Sequence, residues 1–338
     1  MRIAFIGLDH WYSAVPLARA FAARDDVEVA GIADRDEARA RQIAEQVGVA
    51  DSTADAARYL DDPTVDVVAN FTSTERSAPV TIAAARRGKA ILSVKPLANT
   101  LAEATEVVRA VTRAGVTFVG ADSRPRAFPF SERLRDWHAE GRFGTLLTAS
   151  YRLGGVMPEA WPGESGPGWW GDPERAPGGA WIDHAIYHLD LFRWLTGAEV
   201  TRVSGMVANL RHHDLGVEDY GHATVEFSSG LVATVEDTWV APPRGAHTTM
   251  TLVGTEGALS FDSLTGQLSL SAGGEGWTHA PAPARHVSVV DDLVAVFRGE
   301  REPHGTVADA WHNLAACRAF YEAAATGTPV TPEALPVV

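Results

Sequence analysis

The order in which two kinds of apolar pattern follow one another constrains this chain most. Over the first 120 residues, short β-like runs at Ile3 to Ile6, Val27 to Ala33, Val65 to Phe71, Ala90 to Val94 and Val116 to Val119 alternate with Ala- and Arg-rich stretches of helical spacing, such as Glu37 to Val47 and Leu101 to Ala114. Strands and helices alternating in this way bury their apolar faces by stacking helices on both sides of a parallel sheet, so a doubly wound α/β fold is predicted. From about Thr145 the pattern changes to alternating apolar and polar positions, at Thr145 to Leu153, Val200 to Leu210, His222 to Phe227, Val232 to Trp239, Thr248 to Val253 and Gln267 to Leu270. Turn signals at Ser228-Ser229-Gly230, Thr255-Glu256-Gly257 and Thr265-Gly266 join them, which predicts a mainly antiparallel open sheet. One helix, from about Trp181 to Leu195 and stopped by Gly197, interrupts that sheet, and helix returns at Val287 to Phe297 and Val307 to Ala325. A Gly/Pro/Trp-rich loop from Gly154 to Gly179 precedes the interrupting helix, and a loop of that length inside a compact domain usually serves function. The expected division is a nucleotide-type domain over 1–122 and an α+β substrate and oligomerisation domain over 123–338.

Charge and composition exclude some partners. The formal net charge of −14 and the lack of any lysine-rich run argue against nucleic acid. The longest apolar stretches are strand-sized, so no membrane partner is expected. The chain starts almost directly with the strand at Ile3, leaving no room for a signal core, and a cytoplasmic location is expected. The single cysteine, Cys317, allows no intrachain disulfide and reads as a small core residue.

Gly7 closes the first strand and Asp34 ends the second, in the order strand, glycine, helix, strand, acidic residue of a Rossmann dinucleotide fold. A carboxylate at 34 suits the ribose hydroxyls of NAD and repels a 2′-phosphate, while Arg35 beside it keeps NADP open. Against G-x-G-x-x-G the loop reads Gly7-Leu8-Asp9-His10-Trp11-Tyr12. Asp9 is expected to add like-charge repulsion toward a pyrophosphate, and Tyr12 to prevent the closest helix–sheet approach. His10 and Trp11 in this loop, Thr72 and Ser73 after the strand Val65 to Phe71, and Lys95 with Pro96 complete the expected cofactor contacts.

Of the 29 basic side chains 27 are arginine; the two lysines are Lys89 and Lys95. Lys95 follows the strand Ala90 to Val94 and precedes a proline, at the carboxyl end of a strand where open α/β sheets bind ligands. A buried ammonium can be tuned toward neutrality in a way a guanidinium cannot, which makes Lys95 the leading catalytic candidate.

Taken in order, Arg2-Ile3-Ala4-Phe5-Ile6-Gly7, Ala33-Asp34-Arg35-Asp36, Lys95-Pro96-Leu97, Arg126-Ala127-Phe128-Pro129, Gly178-Gly179-Ala180-Trp181-Ile182-Asp183 and Asp190 through Gly197 resemble the Gfo/Idh/MocA family of oxidoreductases over nearly the whole length. The resemblance implies an N-terminal NAD(P)-binding domain, a C-terminal sheet domain, and oxidation or reduction of a secondary hydroxyl of a sugar, inositol or related polyol. It also implies a homodimer or homotetramer formed through the exposed sheet face. Two departures stand out. The family's Glu-Lys-Pro is Val94-Lys95-Pro96, and its Asp-x-Gly-x-His is Asp183-His184-Ala185-Ile186-Tyr187, which puts Tyr187 where the catalytic histidine usually stands. Some members use tyrosine there, and an ungapped alignment anchored on Asp190 rejects His188 for that position.

Asp183 and Tyr187 are four apart and share a helix face; His184 and His188 share the next one. Tyr187 and Lys95 are expected to flank the reacting oxygen, with Asp183 binding a neighbouring hydroxyl or orienting Lys95. His184 and His188 are expected to face the substrate, together with Trp161 and Trp170 of the loop as stacking platforms and Arg124 and Arg126 as anchors for an acidic or hydroxylated group. The histidine pair has metal-ligand spacing but no clear third ligand, so no metal is expected. Two other readings stay open: a cofactor-degenerate sugar-binding or regulatory protein, and a metal-assisted lyase using His184 and His188.

Overall fold

The computed structural model describes residues 1–164, 166–283 and 288–337. Its first half is a six-stranded sheet of β1 (Arg2–Ile6), β2 (Glu28–Ala33), β3 (Ser52–Thr53), β4 (Val67–Asn70), β5 (Ala90–Ser93) and β6 (Phe118–Gly120), in the order β3-β2-β1-β4-β5-β6. Every pair is parallel, and the order reverses between β1 and β4, so the carboxyl ends of these strands open a crevice at the switch point. Helices α1 (Trp11–Ala22) and α2 (Glu37–Val47) share one core face with Phe5, Ile32 and Val67. The short α3 (Ala57–Leu60), α4 (Thr74–Arg86) and α5 (Leu101–Ala114) pack on the other. Local chemistry sets the helix ends: Asp36 caps the start of α2, and a reciprocal Thr100/Glu103 capping box starts α5. β3 and α3, at two and four residues, are too short to carry a readable period.

The second half opens with α6 (Pro129–Ala139), which has proline at its first position, and builds an eight-stranded sheet. Its strands are β7 (Leu146–Gly154), β8 (Val200–Ala208), β9 (Tyr220–Phe227), β10 (Val232–Thr238), β11 (His247–Gly254), β12 (Gly257–Asp262), β13 (Gln267–Ala272) and β14 (Trp277–Pro281). In the order β14-β13-β12-β11-β7-β10-β9-β8 all neighbours are antiparallel except β7 and β10. Helix α7 (Ala180–Thr196) lies on one face of this sheet beside α9 (Val307–Thr326), with Trp181 stacked on Phe320 at 3.7 Å between ring centres. Gly221 on β9 permits that approach, since a Cβ there would lie 2.5 Å from Trp181. Expected to start at Val287, which lies outside the described residues, the next helix is α8 (Val289–Phe297). Val290, Leu293, Val294 and Val296 return α8 to the core of the first half, and α9 also packs against α5.

Candidate functional site

Helix α7 enters the crevice from the second half with its first turn held by a buried carboxylate. The backbone N–H groups of Gly179 and Trp181 donate to Glu218 at 2.9 and 3.0 Å, and the Tyr321 hydroxyl donates to it at 2.8 Å. This fixes Asp183 opposite Lys95, which follows β5 and is joined to Pro96 by a cis peptide. The Lys95 ammonium, only 4% exposed, donates to Asp183 Oδ1 at 2.6 Å and to the Asp183 carbonyl oxygen. Trp239 Nε1 donates to Asp183 Oδ2 at 3.2 Å.

Burial opposes the lysine's charge, but Asp183 and Tyr187 outweigh it and hold Lys95 above its ordinary pKa. Burial likewise works against the Asp183 charge; His184, Lys95 and the Trp239 bond overcome it and hold the carboxyl well below the usual range. The ammonium and the carboxylate thus each favour the other's charged form. Of the two roles expected for Asp183, orienting Lys95 is the one its geometry serves.

The Tyr187 ring lies 5.3 Å from the Lys95 ammonium, and the Trp170 ring lies 5.4 Å from it on another side. Lys95, Tyr187, Arg124, His10 and Tyr12 line a cleft together with the apolar side chains of Leu17, Leu92, Val119 and Leu293. Among the described residues, most buried side-chain nitrogens and oxygens without a hydrogen-bond partner gather around this crevice: both His10 nitrogens, Arg124 Nε, Trp170 Nε1, His184 Nδ1 and both Asp237 oxygens, with atoms of Thr74, Glu75, Arg76 and Arg175 nearby. Such atoms are costly unless a ligand pairs them.

The residues present fit a dinucleotide. Helix α1 has no side-chain cap and no acidic residue in its first turn, which leaves its N–H groups to an anion. Gly7, at φ +85°, lies so close to Thr72 that a Cβ would come within 2.6 Å. Asp34 accepts from the N–H groups of Leu8 and Asp36, each at 2.8 Å, and so shapes the loop at the end of β2. Asp9 corrects its expectation. Rather than standing bare, its carboxylate accepts from Ser73 N–H at 2.9 Å and lies 3.7 Å from both Arg35 and Arg76. Tyr12 does not wedge helix from sheet either; it is 44% exposed, and α1 packs through Ala14, Leu17, Ala18 and Phe21.

The long loop reaches back over the first half. Trp169 Nε1 donates to the Asp9 carbonyl at 3.3 Å, the stacked Trp169 and Trp170 pack edge-on against His10, and Trp11 Nε1 donates to the Glu159 carbonyl at 3.2 Å. Trp161 packs near Trp11 and under the Arg39 guanidinium, away from Lys95 and Tyr187. Of the two tryptophans expected to stack on substrate, only Trp170 has its ring beside Lys95.

Arg126 also departs from its expected role. Its Nε and NH2 donate to Asp190 at 2.7 and 2.6 Å and its NH1 to the His304 carbonyl at 2.9 Å, so all three nitrogens of this buried guanidinium are engaged within the protein. The two helix histidines also part company. His188 stacks on Tyr151 with Nδ1 3.2 Å from the His184 carbonyl, and burial lowers its pKa to about 3. His184 sets Nδ1 3.5 Å from Asp183 and 3.6 Å from Asp237. Burial lowers its pKa, with Asp183 opposing and Lys95 adding to the effect. Among the described residues no group of three or more His, Cys, Asp and Glu is placed to hold a metal ion, and no helix is long and apolar enough to cross a membrane.

Sequence reasoning missed Asp237, Trp239 and Glu218. A signal for Asp237 existed: on β10 it stands in phase with the buried Ala233 and Val235, an acid on the apolar side of an alternating strand. Burial and the Asp183 charge push its carboxyl well above the usual range.

Comparison with known proteins agrees with this architecture. Residues 1–121 match the NAD-binding Rossmann fold of the GFO/IDH/MocA oxidoreductase family, and residues 131–260 match that family's C-terminal domain. The 1,5-anhydro-D-fructose reductase of Ensifer adhaerens is 29% identical, over 89% of this chain and 90% of its own length. The scyllo-inositol 2-dehydrogenase (NAD(+)) of Bacillus subtilis is 29% identical over 68% of this chain and 64% of its own length. The solved levoglucosan dehydrogenase in complex with NADH covers 98% of this chain, and this chain 99% of it, with a TM-score of 0.84 at 24% identity. An oxidoreductase domain protein from Kribbella flavida reaches a TM-score of 0.85 at 23% identity, covering 98% and 99%. At those identities the two structures carry the fold alone. With both halves matched in order, the chain belongs to the GFO/IDH/MocA oxidoreductases, and its first half is that family's NAD-binding Rossmann fold.

Proposed function

We propose that the protein transfers hydride between NAD and a secondary hydroxyl or ketone of a sugar, inositol or related polyol, with Lys95 and Tyr187 at the reacting oxygen. The observation that carries this reading is the Lys95 ammonium, sealed against Asp183 and facing the Tyr187 ring in a cavity at the carboxyl ends of β1, β5 and β6. When bound, the nicotinamide supplies the hydride acceptor or donor. The chain's own residues do the rest. Lys95, kept charged by Asp183, steadies negative charge on the oxygen, and Tyr187 exchanges the proton there. Trp170 packs behind the Lys95 ammonium, and Arg124, whose Nε lacks a partner, reaches for a polar group of the substrate. Asp34 faces the adenosine ribose, the uncapped start of α1 receives the pyrophosphate, and Thr72 and Ser73 brace that loop. We assign 1–122 to the cofactor and 123–338 to substrate and subunit contacts, with α8 returning to the first core. The sheet face opposite α7 and α9, which carries Met206, Val232 and Val253 exposed, is the proposed surface for a homodimer or homotetramer.

Calorimetry with the four nicotinamide nucleotides and turnover on a panel of sugars and inositols test this reading. NAD(H) is expected to bind more tightly than NADP(H), and Lys95→Met and Tyr187→Phe are each expected to lower turnover about 100-fold or more while leaving NAD affinity within a few-fold. Absence of nucleotide binding would replace this reading with a binding-only protein.

A further inference from the structure

We propose that His184, held between Asp183 and Asp237, is the station through which the proton of the reacting hydroxyl passes between Tyr187 and solvent. The inference rests on the reading of Tyr187 given above and deepens it.

A neutral phenol that receives a proton at the reacting oxygen has to release its own in the same event. In the oxidation direction the substrate's C–H leaves as hydride to the nicotinamide, its O–H proton moves to the Tyr187 oxygen, and the Tyr187 proton departs to a neutral acceptor. Lys95 is committed as a donor, its ammonium bonded to the Asp183 carboxylate and carbonyl oxygen. Asp183 is committed, with Oδ1 on Lys95 and Oδ2 on Trp239. His188 is stacked under Tyr151, and His10 is only 1% exposed. Asp237 is 0% exposed and has no contact with solvent of its own.

His184 combines what the step needs. It precedes Tyr187 by three residues on α7, its ring centre is 6.2 Å from the Tyr187 ring, and 41% of its side chain meets solvent. The two carboxyl groups beside Nδ1, at 3.5 and 3.6 Å, are beyond hydrogen-bond length and tighten as the ring gains charge. They favour the N–H at Nδ1 and leave Nε2 to take the proton. This gives a purpose to Asp237, a fully buried carboxyl that stands where an apolar side chain would fit the strand's phase. His184 and Asp237 act through Tyr187, so they are positioning residues.

The test compares His184→Gln and Asp237→Asn with Tyr187→Phe, and adds 15N NMR of the wild-type imidazoles in the protein without nucleotide. The groups facing the His184 ring are Asp183, Tyr187 and His188 on its own helix, Asp237 from β10 and Lys95 after β5. His184→Gln is expected to lower kcat about 10- to 100-fold with the KM for NAD unchanged, and added imidazole buffer to restore part of the loss. Asp237→Asn is expected to lower kcat less and to displace the pH dependence of kcat. The His184 nitrogens are expected to report a neutral ring at pH 7.5 whose titration moves in Asp237→Asn. A slow His184→Gln enzyme insensitive to buffer overturns the proposal, because loss of a purely structural imidazole gives that result. So does a His184 imidazolium at pH 7.5. Full activity in Tyr187→Phe removes the underlying reading of Tyr187 itself, whereas an inactive Tyr187→Phe beside an unimpaired His184→Gln removes only the relay.

Discussion

Two buried polar clusters join the halves of this molecule, and they are finished differently. Around Arg126, the guanidinium, Asp190, Ser123, Asn313 and Asp122 bond to one another and to the His304 carbonyl, and none of their buried side-chain atoms is left over. Around Lys95, the ammonium and Asp183 are paired while His184, Asp237, His10 and Arg124 keep atoms without partners. A fully paired network holds a structure in one arrangement; an incompletely paired one is where a ligand completes the count. The same side-chain types thus mean different things according to whether their bonds close among themselves.

The largest expected effect breaks the closed cluster. Arg126→Met leaves Asp190 buried without its counter-charge and is expected to cost about 3–5 kcal/mol in urea unfolding, with nucleotide affinity of the folded protein intact. Asp237→Leu is the converse case. It removes two unpaired oxygens, and stability is expected to hold or rise within about 1 kcal/mol. A loss at Asp237 as large as that at Arg126 would erase the distinction.

A pH experiment sharpens it next. Burial lowers the His10 pKa to about 4, so the folded state binds fewer protons than the unfolded state between that value and about 6.5. The stability this confers is present above pH 6.5 and is lost as pH falls toward 4. His10→Leu is expected to remove on the order of 1.5 kcal/mol of the wild-type loss between pH 6.5 and 5, read from urea melts at the two values. An unchanged acid limb would mean that His10 stays paired with something in solution.

The smallest expected effect concerns Asp9. With its carboxylate bridging Ser73, Arg35 and Arg76, Asp9→Gly loosens the nucleotide loop, and calorimetry is expected to show NAD binding a few-fold weaker. Tighter binding would restore the like-charge repulsion that the bare sequence suggests.

What was legible in the sequence depended on how local its cause is. The alternation of strand and helix located the first sheet, because each buried face is written in its own few residues. Helix α6 was missed although Pro129 marks its start, since its buried positions, Ser131 and Leu134, make a weak stripe. β12 and β14 were missed because a five- or six-residue strand bounded by glycines and prolines carries little period. At the site, Lys95 stood out as one of two lysines at the end of a strand, whereas Asp183 and Tyr187 were picked out through the resemblance. The misreading of Arg126 was not avoidable, because Asp190 lies 64 residues away and only folding shows that it takes the guanidinium. The loop's tryptophans look alike in sequence, and only the path of the loop separates Trp161 beside Trp11 from Trp170 beside Lys95.

That path has a consequence for exchanging parts between related proteins. The bonds from Trp169 to the Asp9 carbonyl and from Trp11 to the Glu159 carbonyl, with the ion pair of Arg39 and Glu164, make the roof of the nucleotide loop out of the other half's residues. A chimera that grafts residues 1–122 onto a foreign C-terminal half inherits the loop but not its roof. The loop Gly7-Leu8-Asp9-His10-Trp11-Tyr12 and its tryptophan cover therefore form one unit, split across the chain and best exchanged together.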